Sequence, residues 1–148
     1  MLFRSGIETL SLRMQRHVEN ATDLAEWLEG HDAVDYVTYA GLKSSPYYDR
    51  MAKICPKGAS ALFTISLKGG YDACVKLVDS LEIFSHVANL GDARSLIIHP
   101  ASTTHRQLTV EQQTAAGAGP SIVRLSIGIE DIQDLKGDLD RALNAAGK

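Results

Sequence analysis

An arginine set inside an apolar β-pattern is the residue of this chain best placed to do chemistry. In Ile122 to Leu143, IVRLSIGIEDIQDLKGDLDRAL, the apolar residues Val123, Leu125, Ile127 and Ile129 alternate with Arg124, Ser126 and Gly128. A strand points successive side chains to opposite faces, so one face is apolar and the other carries a cation, a hydroxyl and bare backbone. If that face is buried the guanidinium must be paired, because an unpaired buried charge is very costly. The partner is either a carboxylate of the same chain or the carboxylate or phosphate of a ligand, which the planar fork grips with two parallel hydrogen bonds.

Other reactive side chains have weaker patterns. His86, His99 and His105 lie close in sequence, but no HxH or HxxxH occurs and no Cys or acidic ligand sits at metal spacing, so they read as ordinary core or surface histidines. Cys55 and Cys74 are not a CxxC pair and neither has a histidine beside it, so no metal and no thiol nucleophile is expected. Asn89 to Ser95, NLGDARS, is a polar turn in which Gly91 allows a close backbone approach to a ligand. His99 to Leu108, HPASTTHRQL, is a hydroxyl-rich connection whose Ser and Thr suit the capping of backbone groups.

Around these residues the periodicity predicts the elements that position them. Ser5-Gly6-Ile7-Glu8 has the form of a capping box. Behind it, Ile7, Leu10, Met14, Val18, Ala21, Ala25 and Leu28 mark one face of a long helix stopped at Gly30. Met14 and Trp27 read as packing residues, and no element is predicted for Met1 to Arg4. Strands are predicted at Ala33 to Tyr39, Ala61 to Leu67, Ile83 to Val87 and Ser95 to His99, besides the one opening at Ile122. Helices are predicted at Tyr47 to Cys55, with Ser45-Pro46 as cap and first residue, and at Tyr71 to Leu81. Thr109-Val110-Glu111-Gln112 forms a second capping box, opening a short helix that ends at Gly117 or Gly119. A last helix carries Ile132, Leu135, Leu139, Ala142 and Leu143, with Glu130, Asp131 and Asp134 at its positive end. The order predicts an α+β fold, a two-layer sandwich whose mixed, mainly antiparallel sheet has helices on one face. The face of Arg124, Ser126 and Gly128 is then covered by no helix of the chain.

The 148 residues suit one domain spanning positions 1–148. A net charge of -3 with scattered Lys and Arg gives no general pull toward nucleic acid or an anionic membrane. No apolar run approaches a membrane span, and no signal-peptide pattern opens the chain, so a reducing cytoplasm is the expected compartment.

Gly6 to Ala21, Ser85 to Thr109 and Val123 to Leu135 together resemble the C-terminal third of the pyridoxal-phosphate enzymes of cysteine and methionine metabolism. That family includes the cystathionine synthase and lyases, methionine gamma-lyase and the homoserine sulfhydrylases. Within it, NLGDARSLIIHPASTTH is most similar to the O-acetylhomoserine sulfhydrylase branch. The resemblance implies a small α/β sandwich that packs on a larger pyridoxal-phosphate domain of the same polypeptide, with the active site between them and the full enzyme a homotetramer. It implies that Arg124, the arginine of RLSxGxE, binds the α-carboxylate of a small amino-acid substrate, and that Asn89, where many lyases have serine, lies near that carboxylate. Ala88 replaces an acidic residue of some cystathionine-processing relatives, leaving room that suits a compact sulfur nucleophile. The family's cofactor lysine belongs to the large domain, and none of Lys43, Lys53, Lys57, Lys68 or Lys76 matches its motif. The chain by itself is therefore expected to hold no catalytic residue and no cofactor. O-Succinylhomoserine sulfhydrylase, a γ-lyase, and a stand-alone module binding a carboxylate or a protein partner are the alternatives.

Overall fold

The computed structural model describes residues 6–147. Five strands form one sheet in the order β1-β2-β5-β4-β3: β1 Val34–Thr38, β2 Leu62–Leu67, β3 Ser85–His86, β4 Leu96–Ile98 and β5 Ile122–Ser126. All neighbours are antiparallel except β3 and β4, so the sheet is mixed and mainly antiparallel. Helices α1 Leu10–Glu29, α3 Gly70–Ser80 and α5 Ile132–Ala146 cover one face. The short α2, Tyr48–Ile54, buries no residue, and α4, Val110–Ala115, lies in the long connection between β4 and β5.

Register explains the core. Phe63 and Ile65 of β2 oppose Leu125 and Val123 of β5, and Ile97 of β4 opposes Leu125 from the other side. All five point at the helices, where they meet Leu24 and Leu28 of α1, Leu77 of α3, and Leu135, Leu139 and Leu143 of α5. Each of these fully buried leucines contributes about 1.5–3 kcal/mol over leaving it in water.

Local signals account for several element ends. Thr109 and Gln112 form the reciprocal capping box, with Thr109 Oγ1 accepting the Gln112 N–H at 3.3 Å and Gln112 Oε1 accepting the Thr109 N–H at 3.0 Å. Asp131 caps α5, its carboxylate accepting the Gln133 N–H at 2.8 Å. The proposed Ser5 cap lies outside the described residues, and α2 begins two residues after Pro46, with Ser45 Oγ accepting the Tyr47 N–H.

The structure corrects four expectations. Only the second half of α1 packs on the sheet; Ile7 and Leu10 are exposed, and Met14 and Val18 half-buried. A 20-residue helix is about 30 Å long, and the strands beneath it have only two to six residues, so it overhangs the sheet. The expected Ile83 to Val87 strand shrinks to two residues because the Ile83 N–H is taken by the buried Asp138 carboxylate of α5 at 2.8 Å. Strand β5 ends at Ser126, and Ile129 turns outward as its N–H donates to the Ala93 carbonyl at 2.9 Å. Finally, the second sheet face is not open throughout. Leu96, Ile98 and Ile122 are buried there with Ala101 and Ala118, under residues 99–121, whose 3-10 turn Pro100–Ser102 packs on β5. Among the described residues no helix is long and apolar enough to cross a membrane.

Candidate functional site

Arg124 stands at the centre of β5, opposite Thr64 on one side and Ile98 on the other. It is half-buried, at the edge of the patch that residues 99–121 cover. Among the described residues no carboxylate lies within 4.0 Å of its guanidinium. Among the described residues its guanidinium makes one hydrogen bond, a long contact from Nη2–H to the Asn89 carbonyl at 3.4 Å. Of the two readings of this arginine, the internal carboxylate is therefore the one the geometry does not supply. The acids nearest in the motifs are already engaged. Asp92 accepts the Arg94 N–H at 3.0 Å, and Glu130 faces Ser95. A half-buried cation whose fork is unmatched suits a bidentate anion brought by a ligand.

The contact with Asn89 joins the two motifs that the sequence singles out. Asn89 is exposed, and its Oδ1 accepts the Leu90 N–H at 2.9 Å, which leaves its Nδ2 hydrogens without a partner among the described residues. Arg124 thus reaches the backbone of a turn whose Asn89 side chain still has amide donors to offer.

The turn carrying Asn89 is tied down from three sides. Gly91 takes φ +72°, and its N–H donates to Ser126 Oγ at 3.4 Å. Arg13 of α1 donates to the Gly91 carbonyl at 3.2 Å and to the Gly6 carbonyl at 2.9 Å. The tightest tie lies at the end of the turn. Ser95, with no solvent exposure, donates its N–H to Glu130 Oε1 at 2.6 Å and its hydroxyl to Glu130 Oε2 at 2.9 Å, while its Oγ accepts the Gly128 N–H at 2.8 Å. Gly128 has to lack a side chain, because a Cβ there would overlap the Glu130 carboxylate and the Ala93–Arg94 backbone. From behind, α1 grips the segment after β5 that carries Gly128 and Glu130. Asn20 donates to the Gly128 and Glu130 carbonyls at 3.2 and 2.9 Å, and His17 Nδ1–H donates to the Ile127 carbonyl at 2.6 Å.

Sequence reasoning missed this network. It assigned Glu130 to the dipole of α5, whereas Asp131 is the cap and Glu130 turns back to Ser95. The signal available was the Ser and Gly spacing of RLSIGIE opposite the serine that ends NLGDARS.

The remaining candidates lie elsewhere. His99 is buried, with Nε2–H donating to the Pro120 carbonyl at 2.8 Å and Nδ1 accepting from Ser102 Oγ at 2.9 Å. Both nitrogens are used by the neutral ring, and burial lowers its pKa. His86 is exposed, and His105 Nδ1 pairs with Thr104 Oγ1. Among the described residues no cluster of three metal-ligating side chains forms. Burial pushes the Cys74 thiol up to about 12, and Cys55 is exposed. Lys43, Lys53, Lys57, Lys68 and Lys76 are all exposed, and Lys136 pairs with Asp23 at 2.7 Å. None of them has the desolvated setting that keeps a cofactor-binding lysine uncharged and nucleophilic. The described residues of this chain therefore do not fit a pyridoxal-phosphate site of their own.

The fold is a small α+β sandwich with an unmatched arginine on its sheet, and comparison with known proteins shows its family. Residues 1–144 match the model of the Cys/Met metabolism PLP-dependent enzymes, and the chain belongs to that family. It is 50% identical to O-acetyl-L-homoserine sulfhydrylase 1 of Thermus thermophilus over 93% of this chain and 33% of the relative. It is 42% identical to O-succinylhomoserine sulfhydrylase of Pseudomonas aeruginosa over 97% of this chain and 36% of the relative. Among solved structures it superposes with a TM-score of 0.88 on an O-acetylhomoserine (thiol)-lyase of Campylobacter jejuni containing N′-pyridoxyl-lysine-5′-monophosphate. That match has 40% identity and covers 95% of this chain and 33% of the other. The chain spans about a third of the length of the relatives it matches.

Proposed function

We propose that residues 1–148 form the C-terminal, substrate-binding domain of an O-acetylhomoserine sulfhydrylase. That enzyme would convert O-acetylhomoserine and sulfide to homocysteine and acetate by γ-replacement. The observation that carries the reading is the Arg124 fork, without a carboxylate partner among the described residues and resting on the Asn89 carbonyl, in a chain 50% identical over 93% of its length to a sulfhydrylase of that name. In this proposal Arg124 grips the substrate α-carboxylate and fixes which way the amino-acid carbon faces. Asn89 adds a neutral donor to the same group. Pyridoxal phosphate and its lysine belong to a larger domain of the same polypeptide, and the full enzyme works as a cytoplasmic homotetramer in methionine biosynthesis. The O-succinylhomoserine activity of a 42% identical relative makes the succinyl ester the second reading.

The test is the full-length enzyme, purified with its cofactor and given sulfide with either ester. Homocysteine should form faster from the acetyl ester. A preference for the succinyl ester would move the assignment to the second reading. Release of ammonia and a 2-oxo acid without homocysteine would make it a lyase, and no turnover of any homoserine ester would overturn the proposal. The mass of the native polypeptide tests the domain assignment separately. A native species of 16.0 kDa, the mass of this chain, would favour a stand-alone module over a domain of a larger enzyme.

A further inference from the structure

We propose that Ser95 and Glu130 are positioning residues for carboxylate recognition, setting the distance between Arg124 and the Asn89 turn without touching the substrate. The inference rests on the reading of Arg124 and Asn89 as the carboxylate site. Arg124 is fixed by the sheet, since β5 is paired on both edges. Asn89 is not. It sits in an irregular, largely exposed segment, and the bonds that tie its near end to the rest of the domain are 3.4 Å to Arg124, 3.4 Å to Ser126 and 3.2 Å from Arg13, all longer than those at the far end. The short bonds lie at the far end, where a buried serine makes two contacts of 2.6 and 2.9 Å to the Glu130 carboxylate and accepts the Gly128 N–H at 2.8 Å. A charge-assisted bond of that length is about twice as strong as a neutral one. The tie that decides where the turn lies is therefore Ser95–Glu130.

The chemistry of the pair is specific. Glu130 offers two acceptors to the two donors of Ser95, which frees the Ser95 lone pairs for the Gly128 N–H. A glutamine at 130 has one acceptor and one donor group. It can keep the Ser95 N–H, but its NH2 then faces Ser95 Oγ, and the serine hydrogen loses its acceptor. The loop must shift to relieve this, and the gap between the Asn89 amide and the Arg124 fork changes with it.

The experiment uses the full-length holoenzyme with Glu130→Gln, Ser95→Ala, Arg124→Ala and the double variant Glu130→Gln/Arg124→Ala. Glu130→Gln and Ser95→Ala should each raise KM for the amino-acid substrate about tenfold, the scale expected when a binding group is misplaced by a fraction of an ångström. KM for sulfide and the cofactor absorbance should not move. The effect of Glu130→Gln should largely vanish in the Arg124→Ala background, because the two act through one contact. If Ser95→Ala does not yield holoenzyme, the nearly isosteric Glu130→Gln carries the test alone. An unchanged KM in Glu130→Gln, with Arg124→Ala raising it, would overturn the positioning role and leave the carboxylate reading standing. So would an effect of equal size with and without Arg124. An unchanged KM in Arg124→Ala would remove the carboxylate reading, and the positioning role with it.

Discussion

Replacing Arg124 with alanine in the full-length enzyme separates binding from stability more cleanly than any other change in this chain. On the stability side the guanidinium does little. It has no carboxylate partner among the described residues, and its single bond is 3.4 Å to a neutral carbonyl. Removing it should change unfolding free energy by no more than about 0.5–1 kcal/mol, the range of substitutions that break no buried network. On the binding side, the proposed role gives it a two-pronged contact with the substrate carboxylate. A hydrogen bond to a charged group contributes about 1.5–3 kcal/mol, so kcat/KM should fall by about 10- to 150-fold. Most of the loss should appear as a raised KM, because the carboxylate is bound in ground state and transition state alike. Arg124→Lys should restore charge but not activity in full, since one ammonium cannot copy the fork. Steady-state kinetics with varied homoserine ester, beside a thermal melt, gives both numbers. A KM within about twofold of the unmodified enzyme would refute the reasoning. A large fall in melting temperature would show instead that Arg124 is a structural residue.

Three other outcomes follow from the geometry. Gly128→Ala puts a Cβ into the Glu130 carboxylate and the backbone at Ala93 and Arg94, and should destabilise the protein by about 2 kcal/mol or more in urea unfolding. His99 is buried and neutral, with a pKa below the ordinary histidine value. The unfolded chain therefore binds the extra proton first, and stability is full above the unfolded pKa and declines as pH falls below it, flattening once the folded pKa is passed. His99→Gln should show a smaller loss of melting temperature between neutral and mildly acidic pH than the unmodified protein. Cys74, with its thiol pushed up to about 12, should resist alkylation at pH 8 until the protein is denatured, as read by mass spectrometry of the labelled peptides.

Periodicity was a good guide where burial is one-sided. Val123 and Leu125 of β5, and Ile127 just beyond it, are all fully buried as their alternation requires, and α5 buries the leucines that its spacing marks. Periodicity misled where an apolar pattern outruns what it can cover. The stripe on α1 continues through Leu10 and Ile7, but no strand lies beneath them. A pattern states which face prefers burial, and not how far the opposing layer extends. Likewise the face of Arg124 reads as open in β5 alone, because Ile122 has no alternation partner before it. Its cover comes from residues 99–121, a turn-rich segment with no period to read.

The proposed site was legible in its conspicuous residues and hidden in the bonds that hold them, for a physical reason. Arg124 is conspicuous because a cation inside an apolar strand violates the pattern around it, and such violations concentrate where a protein binds something. Glu130 violates nothing. An acid before a helix satisfies the dipole rule, and that rule gave it a sufficient role one residue from the true cap, Asp131. Only the rotamer, which carries the carboxylate back to Ser95 across the sheet end, shows that the motif's glutamate serves the loop rather than the helix. The two halves of RLSIGIE then have complementary tasks. Its arginine faces outward from a strand that cannot move, and its glycine and glutamate anchor the loop that must stay beside it. On the proposed reading, a single seven-residue run supplies one side of the carboxylate site and fixes the position of the other.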